Sequence, residues 1–258
     1  MPGIVDAIAN WLGGDELSDL YAKYPFVDER KRELMKIHDH VKSLAPELAY
    51  FSNFHQCGGD IYHLIYKNVD RSAKIYFYGK KEHPHAEFSW DRCSLFSCRE
   101  IADNVLLGNL LKRWVVEQSQ PSNIRKEFPT IEIGELADYY ERGNPIEGEF
   151  LHSWISIEKF YEQSAFSFSK QILEFIAAMR QHGYDRTIRA GQSLSSLGLS
   201  RSRRHGLRRH QPSISFIFRE GSMNVEPTFD SEGLQGISIQ LTPDVKKILD
   251  LLVEQDIN

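Results

Sequence analysis

The sequence predicts an α+β fold: an antiparallel sheet of about three to four strands packed by helices, followed by a C-terminal unit of helix, three strands and helix. Three observations carry this prediction. The apolar period is helical up to Pro46 and becomes two over residues 61–91. The segments between the alternating runs are too short for the crossovers that parallel strands need, so the sheet is antiparallel. Beyond residue 212 the alternation returns, and it is followed by an amphipathic run with a helix-start signal.

In chain order, Ile4, Ile8, Trp11 and Leu12 share one helical face that ends at Gly13-Gly14. The polar side carries no Lys or Arg, so the stripe reads as packed on the core rather than laid on a membrane. Leu17, Leu20 and Tyr21 mark a second short helix. Asp28 is placed to cap a third, with Leu34, Ile37, Val41 and Leu44 on its buried face and Pro46 at its end. Residues 61–69, 73–79 and 85–91 read as three strands of a meander, with turns at Gly58-Gly59, Asp70-Arg71-Ser72 and Gly79 to Pro84. Tyr50 to His55 offers a further strand.

Ser97 and Glu100 match a capping box for a helix carrying Ile101, Val105, Leu107, Leu110, Leu111, Trp114 and Val115 across the sheet. Pro121 and Pro129 bracket a connection, and Glu135 to Glu141 reads as a short helix. Asn144 to Glu149 is the candidate boundary between a domain over residues 1–145 and one over 146–258, although one continuous domain fits the same pattern. Helices follow at Trp154 to Tyr161 and Phe168 to Gln181. Three strands then come at Ser213 to Phe218, Met223 to Pro227 and Gly233 to Leu241. Thr242 caps the last helix, with Pro243 at its first position and Val245, Ile248, Leu249 and Leu252 on its buried face.

Composition sets broad bounds. Apolar residues make up 41% and charged residues 26%, which is ordinary for a folded protein. No apolar run approaches the roughly 18–20 residues of a membrane span. The first residues lack a basic region and a long apolar stretch, so no secretory signal is expected. Cys57, Cys93 and Cys98 have no disulfide-framework spacing, which suggests reduced thiols and a cytoplasmic protein.

The strongest functional feature is the stretch from Arg180 to His210. Eight arginines stand there against the single acid Asp185, a net +7 in a chain whose total is −5. No Lys is among the cations. The planar Arg fork suits phosphate or carboxylate, where Lys is only a point charge. Arg186, Arg189, Arg201, Arg203, Arg204, His205, Arg208 and Arg209 are therefore the candidate binding residues for an anionic partner, with nucleic acid first. The competing reading is that these arginines pair with carboxylates within the fold. The function expected is that of a non-enzymatic binding protein without a cofactor. A protein-interaction module of the inhibitor or immunity type, binding a basic partner, is the alternative. A metal-independent nuclease using His205 and His210 as acid and base is a further one.

Other constellations are weaker. His83, His85 and Glu87 would share a strand face and have metal-ligand types, but a solvated polar face explains them without a metal, and no metal site is expected. His38 and His40 point apart on a helix and read as surface histidines. Cys57, followed by Gly58-Gly59, has a nucleophile's neighbours, yet no His is evidently placed to serve it, and the glycines suit a hairpin turn.

Overall fold

The computed structural model describes residues 2–24, 29–58, 61–78, 83–193, 196–204 and 211–257. The chain forms two compact units, Met1–Glu141 and Arg142–Asn258, each with its own hydrophobic cluster.

The first unit opens with helices α1 (Pro2–Leu12), α2 (Leu17–Lys23) and α3 (Glu29–Leu44), and a 3₁₀ turn at Pro46–Phe51. Five strands follow: β1 (Ser52–Gly58), β2 (Ile61–Asn68), β3 (Arg71–Tyr76), β4 (His85–Trp90) and β5 (Cys93–Cys98). They pair in sequence order, all antiparallel, so the sheet is larger than the three to four strands expected. Alternation decides its faces. Leu64, Tyr66, Ala73, Ile75, Ala86 and Phe88 are buried, while His63, Lys74, Tyr76, His85 and Glu87 lie on the other side. Helices α4 (Asn104–Leu111), α5 (Pro121–Glu127) and α6 (Glu135–Glu141) complete the unit, and a π-helical turn at Lys112–Val116 continues α4. That turn carries Trp114 into the core, where its indole N–H reaches the carbonyls of Ser72 and Ser89. Beside it the buried guanidinium of Arg71 lies between the Trp90 and Trp114 rings, 3.5 and 4.0 Å from their centroids. Burial lowers the Arg71 pKa to about 10.

Three expectations need correction here. Ser97 is not a helix cap: it lies within β5, opposite Glu87. The cap is Asp103, whose Oδ1 accepts the N–H groups of Val105 at 2.8 Å and Leu106 at 3.0 Å. α1 does not bury its stripe: Ile4 and Ile8 are exposed, Trp11 is 61% exposed and Leu12 77%, and only Ala7 is buried. His38 is not a free surface histidine, because its Nδ1 lies 2.9 Å from the Tyr66 hydroxyl. The proposed cap Asp28 lies outside the described residues.

The second unit begins with α7 (Pro145–Gln163) and α8 (Ser169–Gln181), then a short 3₁₀ turn at Tyr184–Arg186. The two units divide at Glu141/Arg142, close to the run read as a boundary, and α7 starts within that run, with Asn144 at its N-cap and Pro145 at its first position. Five strands follow instead of three: β6 (Arg189–Ser193), β7 (Ser196–Ser200), β8 (Ser213–Arg219), β9 (Ser222–Pro227) and β10 (Leu234–Ile237). They again pair in sequence order and antiparallel. The arginine-rich stretch thus supplies two strands. α9 (Pro243–Val253) closes the unit, and the Thr242 hydroxyl caps it as expected. Ala190, Leu197, Leu199, Ile214, Phe216, Met223 and Val225 form the inner face of the sheet, in one cluster with residues of α7, α8 and α9.

Candidate functional site

The structure divides the candidate arginines into three groups. The first is tied into the second unit. Arg203 donates from Nε and Nη2 to Oε1 of the buried Glu149 at 3.1 and 2.9 Å. Arg201 donates to the carbonyls of Gln255 at 2.9 Å and Thr187 at 2.7 Å. Burial lowers its pKa, against a smaller opposing effect of Asp256. Arg186, more exposed, pairs with Glu147 at 2.7 Å. Arg180, outside the candidate set, pairs with Glu158 and Asp185. Burial opposes its charge, but the two carboxylates outweigh burial and hold it above its ordinary value.

Arg189 and Arg204 form the second group. They line a groove of about 240 Å³ on the outer face of β6, β7 and β8. Because Ala190, Leu197, Leu199 and Ile214 turn inward, the outward positions are Arg189 and Gly191 on β6, Gly198 and Ser200 on β7, and Ser213 and Ser215 on β8. Register aligns them in rows: Gly191, Gly198 and Ser215 in one, Arg189, Ser200 and Ser213 in the next. Opposed glycines make a floor without side chains, and Ser215 stands beside it; Ser200 and Ser213 are buried, the first accepting from the Ser202 N–H and the second bonded to the Thr228 hydroxyl. Arg189 is braced by an Nη1 bond to the Arg203 carbonyl at 3.1 Å, and the Arg204 carbonyl accepts from the Ser202 hydroxyl at 2.6 Å. The charge of Arg189 is felt nearby, since the His152 pKa is lowered by burial first, then by Lys159 and Arg189. His205, Arg208 and Arg209 form the third group and lie outside the described residues.

A second constellation sits on the first unit's sheet. Cys57 Sγ lies 3.1 Å from His63 Nδ1 and 3.3 Å from His55 Nδ1. Reading the chain in order missed His63 because it comes from the neighbouring strand. The signal was present nonetheless: a hairpin centred near Gly59 places His55 opposite His63, as the register shows. The row continues through Tyr76 to His85, with ring centroids 5.2 and 5.1 Å apart along it. Burial lowers the pKa of both His63 and His85. Lys74 and His55 act in the same sense at His63, as do Arg99 and Lys74 at His85, while Glu87 opposes at both. Glu87 itself is held by Lys74 at 2.6 Å. Among the described residues no group of three or more His, Cys, Asp or Glu side chains is arranged to hold a metal ion. None of their helices is long and apolar enough to cross a membrane.

Comparison of the chain with protein-family models, curated proteins and solved structures returns no match. The class the coordinates define is an α+β protein built of two helix-covered antiparallel meanders.

Proposed function

We propose that the chain is a binding protein that holds a phosphate-bearing partner, nucleic acid first, in the outer groove of the second sheet. The observation that supports this reading is the placing of Arg189 and Arg204 over a floor of Gly191, Gly198 and serine hydroxyls. An Arg fork meets two phosphate oxygens in one plane, hydroxyls can donate to a third, and a glycine floor lets a backbone come close. The groove is smaller than the roughly 300–1,000 Å³ that encloses a drug-sized ligand, so it suits one group of a larger partner. Among the described residues its lining contains no aromatic ring, so stacking of bases is not part of the reading. Contacts of this kind position a nucleic-acid backbone without reading its sequence.

The test is a fluorescence-anisotropy titration with labelled single-stranded DNA, double-stranded DNA and RNA at two salt concentrations. Saturable binding that weakens as salt rises is expected, because neutralised phosphates release counterions. Arg204→Glu should abolish it, whereas Arg186→Gln, on a residue outside the groove lining and paired with Glu147, should not. Gly198→Leu should also block binding, since a Cβ there meets nothing nearer than 3.8 Å and the longer side chain projects into the groove. Absence of binding at low salt for all three probes overturns the proposal.

One observation favours a protein partner instead. The exposed Ile4, Ile8 and Trp11 of α1 have the i, i+4, i+7 spacing by which a helix seats in an apolar groove. A pull-down that loses its prey on Trp11→Ala and Ile8→Ala, with nucleic-acid binding absent, would move the function there. The nuclease alternative rests on His205 and His210, both outside the described residues.

A further inference from the structure

We propose that Cys57 is a nucleophilic thiol centre that forms mixed disulfides with small-molecule disulfides, with His63 as its proton acceptor. The site does not depend on the groove of the second unit.

The geometry comes from the β1–β2 hairpin. Pairing runs regularly from Ser52↔Tyr66 to Gln56↔Tyr62, then shifts, so that Gly58 faces Ile61. Cys57 is the extra residue of this bulge. Bulges free one residue from the ladder and redirect its side chain. Here the thiol comes within hydrogen-bond reach of two imidazoles at once, one from its own strand and one from the next. One ring nitrogen can accept the thiol proton while the other imidazole donates an N–H to the sulfur. That is the arrangement of a nucleophile with its base and an orienting group. Burial keeps His63 neutral to lower pH than an ordinary histidine, so the ring is free to accept a proton near neutrality.

The other cysteines mark the contrast. Cys98 is buried, and burial raises its pKa to about 11. Cys93 is half-buried, and its thiol donates to the Ser94 carbonyl at 3.9 Å. Cys57 alone of the three is exposed.

An open thiol on a sheet surface suits exchange at sulfur, which needs an in-line approach and a proton acceptor. In the first step the Cys57 proton passes to His63 Nδ1. The thiolate then attacks one sulfur of the disulfide, an S–S bond forms and the original one breaks. The departing thiolate takes the proton back from His63. The net change is one protein thiol and one disulfide giving one mixed disulfide and one small thiol, with no other oxidant. The groups facing the reaction are His55 and His63, Tyr76 and Lys74 on β3, and Glu87 on β4.

The experiment treats the full chain with oxidised glutathione and, separately, with cystamine, and follows each cysteine by intact mass and peptide mapping. Cys57 should be modified at least about tenfold faster than Cys93 with both probes. His63→Ala should slow Cys57 by about a hundredfold, the low side of what a positioned base contributes, and added imidazole should restore much of the rate. Equal rates at Cys57 and Cys93 overturn the proposal without recourse to any variant. An undiminished rate in a folded His63→Ala protein, or a loss that imidazole does not repair, removes His63 as the acceptor and overturns it too.

Discussion

Arg203 and Arg204 are neighbours in sequence with different work to do. Arg203 closes on Glu149, whose side chain is only 3% exposed, and Arg204 lines the groove. Removing one member of a buried pair takes a partner from the other charge, so Arg203→Ala should cost about 3 kcal/mol in a denaturant titration. Tyr161 presents the opposite case. It is fully buried, its hydroxyl has no hydrogen-bond partner among the described residues, and burial raises its pKa to about 12. Tyr161→Phe removes a stranded polar atom and keeps the ring, so stability should hold or rise by about 1 kcal/mol. Neither outcome is legible in the sequence. The arginine cluster was visible as charge, but which arginine faces inward depends on a partner 54 positions away in the chain, Glu149.

At the scale of elements, the strands that sequence reading missed share a cause. β5 follows β4 through Asp91-Arg92, both at positive φ of 46° and 65°. A two-residue hairpin of that shape usually announces itself with Asn-Gly or Asp-Gly, and Arg in the second place hides it. β6 and β7 are hidden by composition, because glycine and serine on the outer face resemble a loop, and only Ala190, Leu197 and Leu199 carry the inward pattern. α6 and the Thr242-capped α9 fall where the pattern puts them, whereas α5 and the start of α7, each opened by a proline, read in the sequence as a connection and a boundary. α1 shows the limit of such patterns: an apolar stripe reveals that a helix is amphipathic but not that anything covers it. The β2–β3 turn invites a direct test. Val69 sits at φ 53°, a left-handed conformation that a β-branched residue strongly disfavours. Val69→Gly should stabilise the protein by about 1 kcal/mol, read as a rise in Tm.

At the scale of the whole molecule, two separate cores predict two unfolding transitions by calorimetry. Arg203→Ala should lower only the transition of the second unit, and Val69→Gly should raise only that of the first. A single transition shifted by both would show the units to unfold as one. Acid should weaken the fold in a definite order. His63, His85 and His152 are held below their ordinary value of 6.5 chiefly by burial, so the unfolded chain takes their protons first. Their share of stability is therefore complete above about pH 6.5 and declines as pH falls below it. Glu87 adds a later loss: burial opposes its charge, but Lys74 outweighs burial and keeps its pKa below 4.5, so its contribution disappears as pH falls through that lowered value. A Tm that stayed flat as pH fell from 7 through the histidine range would contradict the first assignment, and one that fell no further below pH 4.5 would contradict the second.

Every strand in either sheet pairs only with the strands next to it in the chain. Each hairpin can therefore close on residues already nearby, and no strand must wait for a distant segment to arrive. Mean sequence separation of contacts governs how quickly small domains fold, and meanders keep that separation short. Refolding after dilution from denaturant should accordingly be faster than for β-sandwiches of comparable size, whose sheets are stitched from remote segments.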